Sequence, residues 1–207
     1  MIKDAVNAVI KAILSEKDYL SQLDAKIGDG DHGINMARGA IAAEEALEEL
    51  DDESNVKEIL QTVGDAVLMN VGGTSGPLYG AGILAAAKVV DENSKLDTQT
   101  LEKVFGAAVA AIQRRGKSDK GDKTMLDVLI PIHETFKNVN TDEKNFDAIL
   151  TDAKDAARDG VEFTKTIPAR KGRASYFGNK SIGVEDPGAM SSFIIFRTLC
   201  SYWKENF

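Results

Sequence analysis

Apolar residues recur along most of this chain at intervals of three, four and seven positions. Ile2, Val6, Val9, Ile13 and Leu20 form the first such stripe, and this spacing places side chains on one face of an amphipathic helix. Comparable stripes predict further helices over 34–50, 59–67, 83–90, 98–112, 125–136, 146–163 and 189–203. No stretch alternates apolar and polar residues in the manner of a half-buried strand. The pattern therefore predicts an all-α fold of roughly eight helices.

Residues that start or interrupt helices refine this prediction. Thr98 is a candidate N-cap, and Pro77 and Gly80 are expected to precede the helix that begins near Ile83. Pro131 should kink or interrupt its helix, because proline lacks a backbone N–H. Residues 170–188 are rich in glycine and basic side chains, which predicts a long loop, and such loops in compact domains are often functional.

Composition narrows the class of protein. The chain has 207 residues, of which 43% are hydrophobic, and it shows no repeat or linker, so one domain over 1–207 is expected. Acidic residues outnumber basic ones 33 to 25, which disfavours nucleic acid as a partner. Cys200, the single cysteine, cannot form an internal disulfide. No apolar run is long enough to span a bilayer, and the amphipathic first helix does not resemble a signal peptide. We therefore expect a cytoplasmic protein with no membrane partner.

Three aspartates lie close together near the N-terminus. Asp24, Asp29 and Asp31 are interleaved with glycines, and carboxylates this close repel one another unless a cation lies between them. A cluster of carboxylate oxygens suits a hard divalent ion, Mg²⁺ before Ca²⁺ or Mn²⁺, and protein-bound Mg²⁺ commonly keeps substrate phosphates in its shell. The alternative is that Asp29 and Asp31 merely cap the next helix, although one aspartate is enough for that. The segment does not match an EF-hand loop, because the twelfth residue counted from Asp29 is Ala40 and not the required glutamate.

Three later segments have the composition of anion-binding loops. Residues 72–82, GGTSGPLYGAG, expose backbone N–H groups before a helix, although glycines also serve close helix packing. Residues 116–124, GKSDKGDKT, nearly match a P-loop, but Asp122 separates the second glycine from the lysine and no strand precedes them, so a solvated turn is favoured. Residues 170–175, RKGRAS, concentrate positive charge that suits phosphate, although a short basic run is usually an exposed loop.

Four motifs, taken in order, resemble those of one family. They are residues 27–36, residues 72–80, residues 121–127, and residues 172–176 together with 186–188. In this order the motifs resemble the L subunit of dihydroxyacetone kinase, over nearly the whole chain. The resemblance implies a roughly antiparallel barrel of eight helices with a nucleotide at one end.

The same resemblance implies a role for each matching position. Asp24, Asp29 and Asp31 would hold two Mg²⁺ ions that bridge the phosphates of ADP or ATP, and Arg173 would join them as a catalytic residue. The residues implied in binding the nucleotide are His32, Gly33, Ile34, Asn35, Thr74, Ser75, Gly116, Met125, Arg173, Asp186, Pro187 and Gly188.

Partners are also implied by the resemblance. A separate K subunit would carry dihydroxyacetone, and bound ADP would be a cofactor that the M subunit of the phosphotransferase system rephosphorylates. A chain with no fused K domain favours this branch of the family. A homodimer or a heteromeric complex is expected, and a transcription regulator is a further partner that the resemblance allows. Three alternatives stay open: an ATP-dependent split kinase for dihydroxyacetone or a four-carbon sugar, an all-α Mg²⁺-dependent phosphohydrolase, and a regulatory binding module.

Overall fold

Helices account for nearly all the regular structure of the chain. A computed structural model describes residues 2–51, 53–92, 94–139 and 145–206. Within these ranges the chain forms nine α-helices, one 3₁₀ segment and no strand, which confirms the predicted all-α class. The helices are α1 (Ile2–Ser15), α2 (Lys17–Asp24), α3 (His32–Glu48), α4 (Val56–Asn70), α5 (Ser75–Ala87), α6 (Thr98–Gly116), α7 (Leu126–Asn138), α8 (Phe146–Thr166) and α9 (Pro187–Asn206), and the 3₁₀ segment is Arg173–Ser181.

The start of α5 differs from the prediction. The helix begins at Ser75 rather than near Ile83, so Pro77 and Gly80 lie inside it. Pro77 is tolerated in the first turn, where the backbone N–H has no partner within the helix. A Cβ on Gly80 would lie 2.7 Å from the Cβ of Leu68, so the glycine lets α5 pack closely on α4. Packing of this kind offsets the low helix propensity of glycine.

Three further boundaries correct the prediction. Asp97, not Thr98, is the N-cap of α6, and its side chain accepts a hydrogen bond from the Thr100 N–H at 2.8 Å. The helix α7 continues through Pro131, so the proline does not interrupt it, and the neighbouring Ile130 and Ile132 are buried in the core. Residues 170–188 contain the 3₁₀ segment instead of being loop throughout.

Eight of the helices pack in an order that closes on itself. Each helix from α3 to α8 packs against the next one along the chain, α9 packs against α1, and α1 packs against α3. The short helix α2 lies against α3 and α9. A barrel of eight helices requires this cyclic order, and the barrel geometry itself stays a prediction.

Three hydrophobic clusters fix the helices in place. The largest lies between α1, α2, α3, α4, α5, α6, α7 and α9, and the second joins α7, α8 and α9. The third is small: Ile27, in the loop between α2 and α3, packs on Ala169 and Ala174. This contact ties the aspartate loop to the start of the 3₁₀ segment and so positions both for the site described below. In the described ranges, no helix has both the length and the apolar character that crossing a bilayer requires.

Candidate functional site

The four sequence motifs meet at one polar cavity of about 310 Å³. It lies where α3, α5, α7 and α9 begin, and the start of the 3₁₀ segment closes one side. All the predicted nucleotide-binding residues except Gly33 and Ile34 line it. The lining residues are Asp24, Asp29, Asp31, His32, Asn35, Gly72, Gly73, Thr74, Ser75, Leu78, Gly116, Ser118, Lys123, Thr124, Met125, Lys171, Gly172, Arg173, Ala174, Asp186, Pro187 and Gly188.

The three aspartates converge on one side of this cavity. Each of Asp24, Asp29 and Asp31 offers a carboxylate oxygen within 4.8 Å of the other two. Asp24 Oδ2 also accepts hydrogen bonds from the backbone N–H groups of Asp31, at 3.0 Å, and His32, at 3.2 Å, so it caps α3. Asp31 occupies the N-cap position but makes no side-chain capping bond. The alternative in which Asp29 and Asp31 merely cap this helix is therefore wrong.

The cluster fits a hard divalent cation. All its side-chain donors are carboxylate oxygens, and their spacing is near the roughly 3–4 Å between oxygens around one octahedral Mg²⁺. A Cβ on Gly28 would lie 2.2 Å from Asp24 Oδ1, so only glycine lets the loop fold around that carboxylate. Burial raises the pKa of Asp24, and the negative charges of Asp29 and Asp31 raise it further. A bound cation would relieve this repulsion.

Arg173 places a positive charge at the rim of the cavity, next to the aspartates. Its Nη2 lies 3.0 Å from Asp29 Oδ2, and both side chains are partly exposed. Exposed ion pairs contribute little to stability, and the Arg173 guanidinium lies on the cavity wall beside the aspartates.

The His32 ring is buried between two hydroxyl groups. Its Nδ1 lies 3.2 Å from Ser75 Oγ, and its Nε2 lies 2.9 Å from Ser191 Oγ. Burial lowers the pKa of His32 to about 4, although the charge of Asp31 and a hydrogen bond to the Pro187 backbone both act to raise it. A neutral ring at this position links the first turns of α3, α5 and α9.

Lys123 lines the cavity in an environment that the sequence did not reveal. Only 1% of its surface is exposed, and its Nζ donates to the carbonyl oxygens of Thr164 at 2.6 Å, Ser181 at 2.7 Å and Val184 at 2.6 Å. The prediction of a solvated turn over residues 116–124 is therefore wrong at Lys123, although Lys117, Asp119 and Lys120 are exposed as it expects. The rejection of a P-loop agrees with the structure, because the Lys123 ammonium donates its hydrogen bonds to these carbonyl oxygens. Burial lowers the pKa of Lys123, while the charges of Asp186 and Asp127 raise it.

Asp127 fixes the loop that carries Lys123. Its Oδ1 accepts from the Gly121 N–H at 2.6 Å, and its Oδ2 accepts from the Thr124 N–H at 2.8 Å. Asp127 is itself buried in the first turn of α7. The loop is thereby attached to a core helix, which sets the position of the adjacent Met125 on the cavity wall.

Asp186 also lines the cavity and is buried. Its Oδ2 accepts from the Ala189 N–H at 2.8 Å in the first turn of α9, and its own N–H donates to Thr164 Oγ1 at 3.0 Å. Burial raises the pKa of Asp186 to about 7; the charge of Asp127 adds to this rise, whereas the Ala189 bond and the charge of Lys123 oppose it. Near neutral pH this carboxyl can therefore exist in either protonation state beside a ligand.

Gly33 and Ile34 are the two predicted residues that do not line the cavity. A Cβ on Gly33 would lie 1.9 Å from the backbone oxygen of Lys17, so this glycine allows α3 to pack on α2. The side chain of Ile34 is 48% exposed. Conversely, sequence reasoning selected the right loops but did not name nine of the residues on the cavity wall, which are Gly72, Gly73, Leu78, Ser118, Lys123, Thr124, Lys171, Gly172 and Ala174.

Comparison with known proteins agrees with this arrangement. The model of the family described as the DAK2 domain matches residues 26–201. A protein of Listeria innocua named "PEP-dependent dihydroxyacetone kinase 1, ADP-binding subunit DhaL" is 41% identical over 187 residues, which are 90% of this chain and 88% of that protein. The "PTS-dependent dihydroxyacetone kinase, ADP-binding subunit DhaL" of Lactococcus lactis is 44% identical over 187 residues, with the same two coverages.

A solved structure shares the fold. It is the dihydroxyacetone kinase from C. freundii in complex with AMP-PNP and Mg²⁺, with a TM-score of 0.73 and 26% sequence identity. The match covers 97% of this chain and 33% of that one, so the chain spans about a third of the length of that kinase.

Proposed function

Since this chain belongs to the DAK2 domain family, we propose that it is the ADP-binding subunit of a dihydroxyacetone kinase supplied by the phosphotransferase system. Two relatives that align over most of their length carry this kind of name. The observation that carries the proposal is the convergence of Asp24, Asp29 and Asp31 on a cavity whose other walls are anion-binding loops. In this account the chain holds ADP as a cofactor, which is rephosphorylated and then passes its phosphoryl group to dihydroxyacetone.

Each wall of the cavity has a proposed task. Asp24, Asp29 and Asp31 would hold two Mg²⁺ ions. When bound, Mg²⁺ neutralises charge on phosphate oxygens, which is the main requirement of phosphoryl transfer. Arg173 would bind a phosphate oxygen from the rim, where it now pairs with Asp29.

The helix starts supply the remaining phosphate contacts in this proposal. Gly33 and Ile34 lie in the first turn of α3, where backbone N–H groups lack partners within the helix and favour anions. Thr74 and Ser75 do the same at the start of α5. Gly33 and Ile34 would act through their backbone, because their side chains lie outside the cavity. His32 and Asn35 would contact the nucleotide through their side chains, because their N–H groups donate to Asp24 Oδ2 and to the Asp31 carbonyl. Gly116 and Met125 would line the pocket for the base or ribose, and Asp186, Pro187 and Gly188 would close over the nucleotide together with Arg173.

The acceptor would come from another chain. The His32 ring already bonds to a hydroxyl group at each nitrogen, so it is a poor base for a sugar hydroxyl. We therefore propose a K subunit that carries dihydroxyacetone, and an M subunit as the phosphoryl donor. A cytoplasmic location and a heteromeric complex belong to the same proposal, as does any transcription regulator as a further partner.

Reconstitution tests this function. The chain would be mixed with a K subunit and with phosphotransferase-system proteins fed by phosphoenolpyruvate, and dihydroxyacetone phosphate would be measured. We expect steady product formation only in the complete mixture, because the bound ADP must be recharged. Steady turnover with the K subunit and free ATP alone would favour the ATP-dependent alternative. Steady hydrolysis of ATP or a phosphate ester by the isolated chain would favour the phosphohydrolase.

A further inference from the structure

A chain of buried hydroxyl groups continues behind His32, away from the cavity. Tyr79, on α5, places its hydroxyl 2.7 Å from Ser191 Oγ and 2.8 Å from Ser192 Oγ, both on α9. Tyr79 is 7% exposed and the two serines are 2% exposed or less. Ser191 Oγ in turn contacts His32 Nε2, and His32 Nδ1 contacts Ser75 Oγ. Of the three hydroxyl groups in direct line, only that of Ser75 lies on the cavity wall.

We propose that Tyr79 and Ser191 are positioning residues that act through the His32 ring to orient the Ser75 hydroxyl as a donor to a phosphate oxygen. The inference rests on the proposed function, since it requires a phosphate group in the cavity. Neither Tyr79 nor Ser191 would touch the ligand.

The direction of the hydrogen bonds follows from the chemistry of each group. A phosphate oxygen only accepts hydrogen bonds, so Ser75 must donate its single hydroxyl hydrogen to the ligand. Ser75 Oγ can then meet His32 Nδ1 only as an acceptor, which requires the proton of the neutral ring to be on Nδ1. The Pro187 backbone oxygen, which also accepts from the ring, must then share that same hydrogen. His32 Nε2 must then accept, and Ser191 is the hydroxyl group within 2.9 Å that can donate to it.

Tyr79 is the donor to Ser191 in this arrangement. Once the Ser191 hydrogen points at His32, Ser191 Oγ is free to accept from the Tyr79 hydroxyl at 2.7 Å. Ser192 can donate to the Tyr79 oxygen at 2.8 Å. The Gly188 carbonyl lies 3.1 Å from both the Tyr79 hydroxyl and Ser191 Oγ and can only accept, so it competes for the single hydrogen of each group. The relay requires these hydrogens to lie in the shorter contacts to Ser191 Oγ and His32 Nε2. Every hydrogen in this arrangement points toward the cavity, and no group changes its net charge.

A purely structural network would behave differently. Buried polar groups are usually hydrogen-bonded for stability alone, and loss of one bond would then weaken the fold without any link to Ser75. In the proposed relay, removal of the Ser191 hydroxyl weakens ligand binding through Ser75. The effects of Ser75→Ala and Ser191→Ala on the binding free energy should therefore be non-additive.

Calorimetric titration with Mg-ADP tests this coupling in the full-length chain. We expect Ser191→Ala and Tyr79→Phe each to weaken binding about three- to tenfold, and Ser75→Ala about tenfold. The double variant Ser75→Ala/Ser191→Ala should bind no more weakly than Ser75→Ala. Matched controls on α9, Ser201→Ala and Tyr202→Phe, should bind like the unsubstituted chain.

Nitrogen-15 NMR of the histidine rings provides a readout that does not depend on the stability of these variants. The chain has two histidines, and His133→Asn identifies the signals of His32. With Mg-ADP bound, we expect His32 to be neutral with its proton on Nδ1. A proton on Nε2 in that complex contradicts the relay, as does unchanged affinity in Ser191→Ala. If the unsubstituted chain binds no Mg-ADP, the proposed function itself fails.

Discussion

Asp31→Asn is expected to lower phosphoryl transfer in the reconstituted mixture about a hundredfold to a thousandfold. The substitution keeps the shape of the side chain but removes one of three charges that converge on the proposed Mg²⁺ site. Loss of one electrostatic contact to the reacting phosphoryl group typically has an effect of this size. Because the Asp31 side chain makes no capping bond, the fold should be unaffected. The rate of dihydroxyacetone phosphate formation and the affinity for Mg-ADP are the two measurements.

A matched control separates this effect from a general change in charge. Asp18 is exposed on α2 and lies outside the cavity, so Asp18→Asn should leave both quantities unchanged. If Asp31→Asn retains full activity, the aspartates do not hold a catalytic metal. If it loses activity but still binds the K subunit, the chain is more than a regulatory docking module.

Lys123→Met is expected to destabilise the folded chain by about 3–5 kcal/mol. Methionine preserves much of the apolar stem but removes the donor that the carbonyl groups of Thr164, Ser181 and Val184 share. Buried acceptors left without a donor, and loss of one member of a buried charged group, have effects of this order. The three carbonyls belong to α8, to the 3₁₀ segment and to the residues just before Asp186, which lines the cavity. Loss of the Lys123 contacts should therefore also weaken Mg-ADP binding. Urea unfolding of the full chain measures the free energy of unfolding.

Lys117→Met is the control for that substitution. Both lysines adopt a left-handed backbone, with φ of 48° at Lys117 and 60° at Lys123, so the backbone effect of methionine is matched. Lys117 is exposed, and its replacement should change the free energy of unfolding by less than about 0.5 kcal/mol. Equal effects at the two positions would mean that the carbonyl contacts do not stabilise the fold.

The helices could be predicted from sequence because their signal is local. Apolar spacing gave the position of most helices, whereas the start of α5 could not be predicted in this way. The segment from Ser75 to Gly82 has the composition of a loop, but it is helical and packs between α4 and α6. Asp97 and Thr98 are both good N-caps by composition, and the choice between them depends on backbone conformation, which is extended at Asp97.

The site divides in the same way. The three aspartates lie within eight residues of the chain, so their chemistry could be inferred from a short segment of sequence. Lys123 binds carbonyl oxygens of residues 41 to 61 positions further along, and backbone carbonyls leave no mark on the sequence. Tyr79 and Ser191 are 112 residues apart, and a tyrosine and a serine in apolar helices carry no motif. These partners could be identified only once the fold had brought the helices together.

Titration of the purified chain with ADP, with and without Mg²⁺, tests the central claim most directly. The claim is that the aspartate side of the cavity and its anion-binding loops together hold a Mg²⁺-bound nucleotide. We predict tight binding of one ADP per chain in the presence of Mg²⁺, and loss of that binding when EDTA removes the metal. Absence of ADP binding in the presence of Mg²⁺, or equal affinity with and without the metal, would contradict the account.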